Sequence, residues 1–182
     1  MARGERHLPG DDATPKEAKI AGRHDDFAHF YRNVKPGVVA FLMYQGSSPA
    51  EADDIAQEAL LEVYLRWREV DHPKAYVYKC ASRSRVRRIA TIHEDVSEEA
   101  TDGNFRSSAS TDVAYWELRH DLLAAIRRLA PREAQAIAWK LAGFSVQETA
   151  SMLGTSPGTV SVSRSTAIAK LTRWGIGGES ND

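Results

Sequence analysis

The chain has a single cysteine, Cys80, so no disulfide can close within it, which fits a reducing compartment. No apolar run approaches the ~20 residues of a membrane span. The opening stretch, "MARGERHLPGDDATPKEAKIAGRHDD", lacks the apolar segment of a signal peptide. Charge of one sign is also lacking: 24 Lys and Arg stand against 25 Asp and Glu, for a net charge of −1. That excludes a uniformly basic nucleic-acid binder but not a chain with segregated charge. There is no Gly-rich phosphate loop and no nucleophile elbow. The six histidines are scattered, and Asp54 and Glu58, four apart on one helix face, have no Glu-x-x-His beside them. An enzyme, a metal site and a cofactor are therefore not expected. Cys80 reads as a small core residue rather than a redox switch. The expectation is a cytoplasmic protein with no membrane insertion.

What is present is helical periodicity. No strand pattern appears, so the fold class is all-α. Residues 1–24 are polar and mixed in charge and read as a disordered tail. From Asp25, Phe27, Phe30, Tyr31, Val34, Val38, Phe41 and Leu42 recur at helical spacing, with Pro36 suggesting a kink or short break. "SSPAEADDIAQEALLEVYLRW" opens with Ser48 as N-cap, Pro49 at the first helical position and Glu51 three residues after the cap. "DHPKAYVYKCASRSRVRRIA" begins another helix in the same manner. Residues 25–90 form a first domain, a three- or four-helix bundle. Residues 91–112 are acidic and Ser-rich and read as a flexible linker. Residues 113–174 carry helical patterning again, and 175–182 form a flexible tail.

Three surfaces stand out. On the helix after Ser48, Ala52, Ile55, Ala56, Ala59, Leu60, Val63 and Trp67 share a core face. Opposite lie Asp54, Gln57, Glu58, Leu61 and Leu65, with Asp53 alongside. Leucines bracketed by acids suit a partner with basic and apolar groups, although a solvated face also tolerates a stray leucine. On the next helix, Lys79, Arg83 and Arg87 recur every four residues, with Tyr76 on the same stripe and Arg85 and Arg88 widening it. Cations engage phosphates and aromatic rings stack on unpaired bases. The plainer reading is a solvated face with Tyr76 packed at its edge. Third, "VQETASMLG" and "SPGTVSVSRSTAIAKLTRW" flank a turn, with Ser156 as cap and Pro157 at the first position of the second helix. Val160, Ala167, Leu171 and Trp174 form its buried stripe. Thr159, Ser161, Val162, Ser163, Ser165 and Thr166 face away, where such a helix meets base edges.

These residues resemble bacterial sigma factors of the extracytoplasmic-function group. "DDIAQEALLEVYLRW" is similar to the family's polymerase-docking helix, and "HPKAYVYKCASRSRVRR" to the segment that follows it. "LRHDLLAAIRRLAPREAQAIAWKLAGFSVQETASMLGTSPGTVSVSRSTAIAKL" resembles the C-terminal helix-turn-helix region. The resemblance implies core RNA polymerase, through its largest and second-largest subunits, and promoter DNA as partners, with an anti-sigma factor a common third. It implies docking by Asp53, Asp54, Gln57, Glu58, Leu61 and Leu65. His72, Lys74, Tyr76, Lys79, Arg83 and Arg87 would hold the melted −10 strand, with the loop from Arg68 to Pro73 pocketing a flipped base. Thr159, Ser161, Val162, Ser163, Ser165 and Thr166 would read the −35 element. No covalent chemistry is implied.

The chain departs from the pattern in three places. Arg83 stands where the family usually has Asn, Tyr76 where it commonly has Trp, and Arg164 at a normally apolar position. The recognition helix lacks most of its usual basic residues, which predicts a weak, salt-insensitive −35 contact. A LuxR-type regulator shares the C-terminal turn but not the docking helix. A decoy that docks polymerase without reading promoters is a further alternative.

Overall fold

The computed structural model describes residues 15–94 and 113–176. Seven helices make up the described chain: α1 (Pro15–Tyr44), α2 (Pro49–Leu65), α3 (Pro73–Glu94), α4 (Val113–Arg127), α5 (Pro131–Leu141), α6 (Val146–Leu153) and α7 (Pro157–Arg173). The described residues contain no strand. The expected linker is cut back at one end, because α3 runs on to Glu94, and its residues 95–112 lie outside the described residues.

α1 starts ten residues ahead of Asp25, so 15–24, expected in the tail, belong to a helix. The stretch "PKEAKIAGRH" has few apolar residues, and periodicity misses it. It is rich in Ala, Lys, Glu and Arg, which sustain a helix by propensity once the following turns are anchored. Pro36 does not break α1, which is continuous through it. Beside it, Gly37 allows α3 to approach closely: a Cβ there would lie 2.7 Å from the Tyr78 hydroxyl.

The caps fall where the sequence puts them. The Ser48 side chain accepts from the Glu51 N–H, and the Glu51 carboxylate takes the Ser48 N–H, closing a capping box at the start of α2. Ser156 caps α7 by accepting from the Thr159 N–H, with Pro157 first in the helix. α6 carries a further capping box, between Ser145 and Glu148. Both hydrogen bonds from Ser145 hold the Glu148 carboxyl below its ordinary range. α6 ends at Gly154, whose positive φ of 63° makes the left-handed stop of the helix-turn-helix.

α1, α2 and α3 pack into one bundle. The expected α2 stripe is its centre: Ala52, Ile55, Ala56, Ala59, Leu60 and Val63 are all buried. Fully burying each Ile, Leu or Val is worth about 1.5–3 kcal/mol. Trp67 is partly buried, edge-on to Phe27 at 5.3 Å and tilted against Phe30 at 4.9 Å. Cys80 is buried in the same core, and burial raises its thiol to about 11. α4 to α7 form the second bundle around Ala125, Ile126, Leu129, Ala134, Ile137, Ala167 and Leu171.

α5 has two apolar stripes. Ala134 and Ile137 face the second core, while Ala138 and Trp139 enter the first. Trp139 is fully buried, 4.8 Å from the Phe41 ring and 5.1 Å from that of Phe144. Phe144 in turn lies 5.2 Å from Tyr78 of α3. Burial pushes the Tyr78 phenol up to about 12. The two bundles therefore share an aromatic core across their boundary.

Candidate nucleic-acid interface

α2 is held in place by its buried stripe, so its other face is fixed outward. Leu61 is 58% exposed and Leu65 67%, and Asp54, Gln57 and Glu58 are exposed beside them. Two of the acids have internal partners. Asp53 meets the Lys35 ammonium at 2.9 Å and accepts from Gln57, and the Lys35 bond holds its carboxyl below the usual range. Glu58 meets Arg88 of α3 at 2.6 Å. The face is thus two exposed leucines on successive turns, with Asp54 and Gln57 on the turns before them and two paired carboxylates at its margin.

α3 sorts its cations. Arg85 turns inward and donates to the Gln45 carbonyl, and burial lowers its pKa. Arg88 is spent on Glu58. The expected widening of the basic surface by these two is therefore corrected: Arg85 is tied to a backbone carbonyl and Arg88 to a carboxylate of the first bundle. Lys79 is partly buried, and Arg83 and Arg87 are exposed. His72 precedes α3 and is exposed, its carbonyl accepting the Tyr76 N–H. Lys74 is exposed with its ammonium 5.5 Å from the centre of the Phe144 ring. Tyr76 faces α2 rather than the cation stripe. Its hydroxyl donates to Glu62 at 2.9 Å and accepts from Arg66 at 3.1 Å, and the Glu62 bond raises its pKa. Its ring packs against the first core.

On α7, Val160, Ala167 and Leu171 are buried as expected, and Trp174 is half-buried under the Arg128 guanidinium at 4.4 Å. Thr159, Ser161, Val162, Ser165 and Thr166 are exposed, Val162 at 68%, and Ser163 is partly buried. Two of the three cations of α7 do not join them, and the third, Arg173, is exposed at the far end of the helix. Arg164 reaches back to the Phe144 carbonyl and to the Thr149 hydroxyl, and its Nε is buried without a partner. Lys170 lies 2.8 Å from Glu133 and draws that carboxyl below its ordinary range. The sequence marked Arg164 as out of place, and the structure shows why: it ties α7 to α6 and to the turn between α5 and α6.

The surfaces on α3 and α7 meet. A cleft of about 950 Å³ is lined by Arg83, Val86 and Arg87 of α3, by Arg132 of α5 and by Thr159 and Ser163 of α7. Arg132 was not among the expected site residues; only the packing of the two bundles brings it to α3. Among the described residues, no group of three His, Cys, Asp or Glu could hold a metal ion, and no helix is long and apolar enough to cross a membrane.

Residues 30–92 match the family model described as sigma-70 region 2, and residues 119–171 that described as sigma-70 region 4. The RNA polymerase sigma-E factor of Streptomyces antibioticus is 28% identical over 131 residues, covering 68% of this chain and 69% of that protein. The sigma factor RpoE of Bartonella quintana, solved in complex with the anti-sigma factor NepR, has the same fold, with a TM-score of 0.59 at 22% identity. The match covers 85% of this chain and 99% of that one.

Proposed function

This chain belongs to the sigma-70 family, in its extracytoplasmic-function group, and we propose that it docks on core RNA polymerase through α2 and directs it to promoters. The observation that carries the docking is the pair Leu61 and Leu65. Both lie more than half exposed on a helix whose opposite face is fully buried. Apolar side chains that a rigid helix holds in water are stabilised by a partner that covers them.

Promoter contact divides between two helices. Arg83 and Arg87 supply phosphate contacts to the −10 strand from α3, with Lys79 at the edge of the stripe. Tyr76 contributes by fixing α3 against Glu62 and Arg66. On α7, Ser161, Ser165 and Thr166 offer hydroxyls and Val162 an apolar contact to bases of the −35 element. Sequence preference on α7 is then carried by groups without charge, and affinity comes from polymerase. An anti-sigma partner fits the same family reading.

The decoy reading is favoured by one observation, the absence of an outward cation along the first half of α7. The LuxR-type reading is not favoured, since α2 would then have no partner for its leucines. Binding of the full chain to purified core polymerase tests the docking claim. A stable complex is expected, and none would refute it.

A further inference from the structure

Charge is lopsided in the cleft between α3, α5 and α7. Three guanidinium groups line it, those of Arg83, Arg87 and Arg132, against one carboxylate, that of Glu62. Glu62 already accepts from the Tyr76 hydroxyl at 2.9 Å. Among the described residues, neither Arg83 nor Arg132 has a hydrogen-bond acceptor or an ion-pair partner. Arg85, Arg88 and Arg164 differ, since each donates to an internal acceptor. Like charges gathered on a concave surface raise its potential and draw anions to it.

The rest of the lining is of two kinds. Val86 is 55% exposed, and Met152 and Leu153 of α6 are half-buried, so part of the wall is apolar. Thr155 and Thr159 bring hydroxyls to the start of α7, where unpaired N–H groups add positive partial charge. Gln135 supplies an amide donor and acceptor. The cleft holds about 950 Å³, at the upper end of the roughly 300–1,000 Å³ usual for small-molecule sites. A bare phosphate leaves the apolar wall wet, and an apolar ligand leaves the guanidinium groups unanswered. A molecule with several phosphates at one end and a flat ring at the other answers both.

We propose that the cleft is a binding site for a nucleotide carrying two or more phosphates. The phosphates meet Arg83, Arg87 and Arg132, whose planar forks match phosphate oxygens in pairs. The base lies against Val86, Met152 and Leu153, with Gln135 at its polar edge. Binding to the free chain does not depend on the promoter role of α3, so either can fail without the other.

Calorimetric titration of the full chain tests it, without polymerase and at fixed ionic strength, with ADP, pyrophosphate and adenosine as probes. ADP should bind at one site per chain, pyrophosphate more weakly, and adenosine not measurably. Arg132→Ala should weaken ADP binding roughly ten-fold or more. Arg173→Ala, at an exposed position at the far end of α7 and outside the cleft, should change it by less than about two-fold. Val86→Glu sets a carboxylate at an exposed position inside the cleft and should weaken ADP at least as much as Arg132→Ala, with helix content unchanged by circular dichroism. If Arg132→Ala loses helix, Val86→Glu decides. The proposal is overturned if ADP does not bind, or if adenosine or pyrophosphate binds as tightly as ADP. It is overturned equally if Arg173→Ala costs as much as Arg132→Ala, since the attraction is then diffuse, or if folded Val86→Glu leaves ADP binding unchanged.

Discussion

The Arg164 guanidinium, in the middle of α7, donates to the carbonyl oxygen of Phe144 at 3.2 Å. The same nitrogen reaches the hydroxyl of Thr149 at 3.3 Å, and that hydroxyl donates to the Ser145 carbonyl at 2.7 Å. Thr149 is fully buried, so its hydroxyl depends on these partners. Removing the guanidinium leaves buried acceptors unpaired, at a cost of about 1–3 kcal/mol. Arg164→Ala should therefore lower the free energy of unfolding by that amount in urea titrations.

Arg164 is also the one cation between Pro157 and Ala169, and it points away from solvent. Each phosphate contact adds about 0.9 to the salt slope of DNA binding. Ser161→Arg or Ser165→Arg, at exposed positions on α7, should steepen the slope of promoter binding by polymerase holoenzyme by about one. Arg164→Ala should leave it unchanged. A slope that drops on losing Arg164 would place that side chain on the DNA.

Glu133 and Lys170 tie α5 to α7 at 2.8 Å, and Lys170 is the main cause of the depressed Glu133 pKa. A carboxylate whose folded pKa is lowered contributes stability above its unfolded pKa and loses it as the pH falls through the folded value. The contribution is thus complete at neutral pH and fades below about 4.5, the ordinary value for Glu. Glu133→Gln should lower the melting temperature at pH 7 and converge with the parent at acid pH. Lys170 is substantially exposed, so the effect should be under about 1 kcal/mol.

The docking claim separates binding from stability. Leu61 is more than half exposed, so Leu61→Ala should leave the melting temperature within a degree or two. Loss of an apolar contact at a buried interface is worth about 1–3 kcal/mol, so affinity for core polymerase should fall roughly ten-fold or more. Glu58→Arg should weaken binding as well, and it also sets a second guanidinium beside Arg88, which now meets Glu58 at 2.6 Å. Unchanged affinity in both variants would remove α2 from the interface.

Much of this was legible in the sequence because it is written locally. The α2 stripe, the Ser48 and Ser156 caps and the α7 stripe each depend on residues within a turn or two of one another. What was not legible depends on partners far along the chain. Nothing near Arg85 or Arg88 says that Gln45 and Glu58 will take them. The periodicity of α5 marks Trp139 as apolar but not which bundle it enters, because the helix carries two apolar stripes. The position of Arg164 on α7 flagged it as anomalous, and only the fold supplies Phe144 and Thr149. Residues 15–24 were missed for a different reason: their helix rests on propensity, which leaves no apolar rhythm.

The central claim is that this chain makes polymerase initiate at promoters, and run-off transcription measures it most directly. Purified core polymerase and the full chain are incubated with a library of genomic fragments, with and without Leu61→Ala. Discrete transcripts that require the chain, and that diminish with Leu61→Ala, are the predicted result. A chain that binds polymerase but yields no transcript from any fragment would contradict the account and leave the decoy reading in its place.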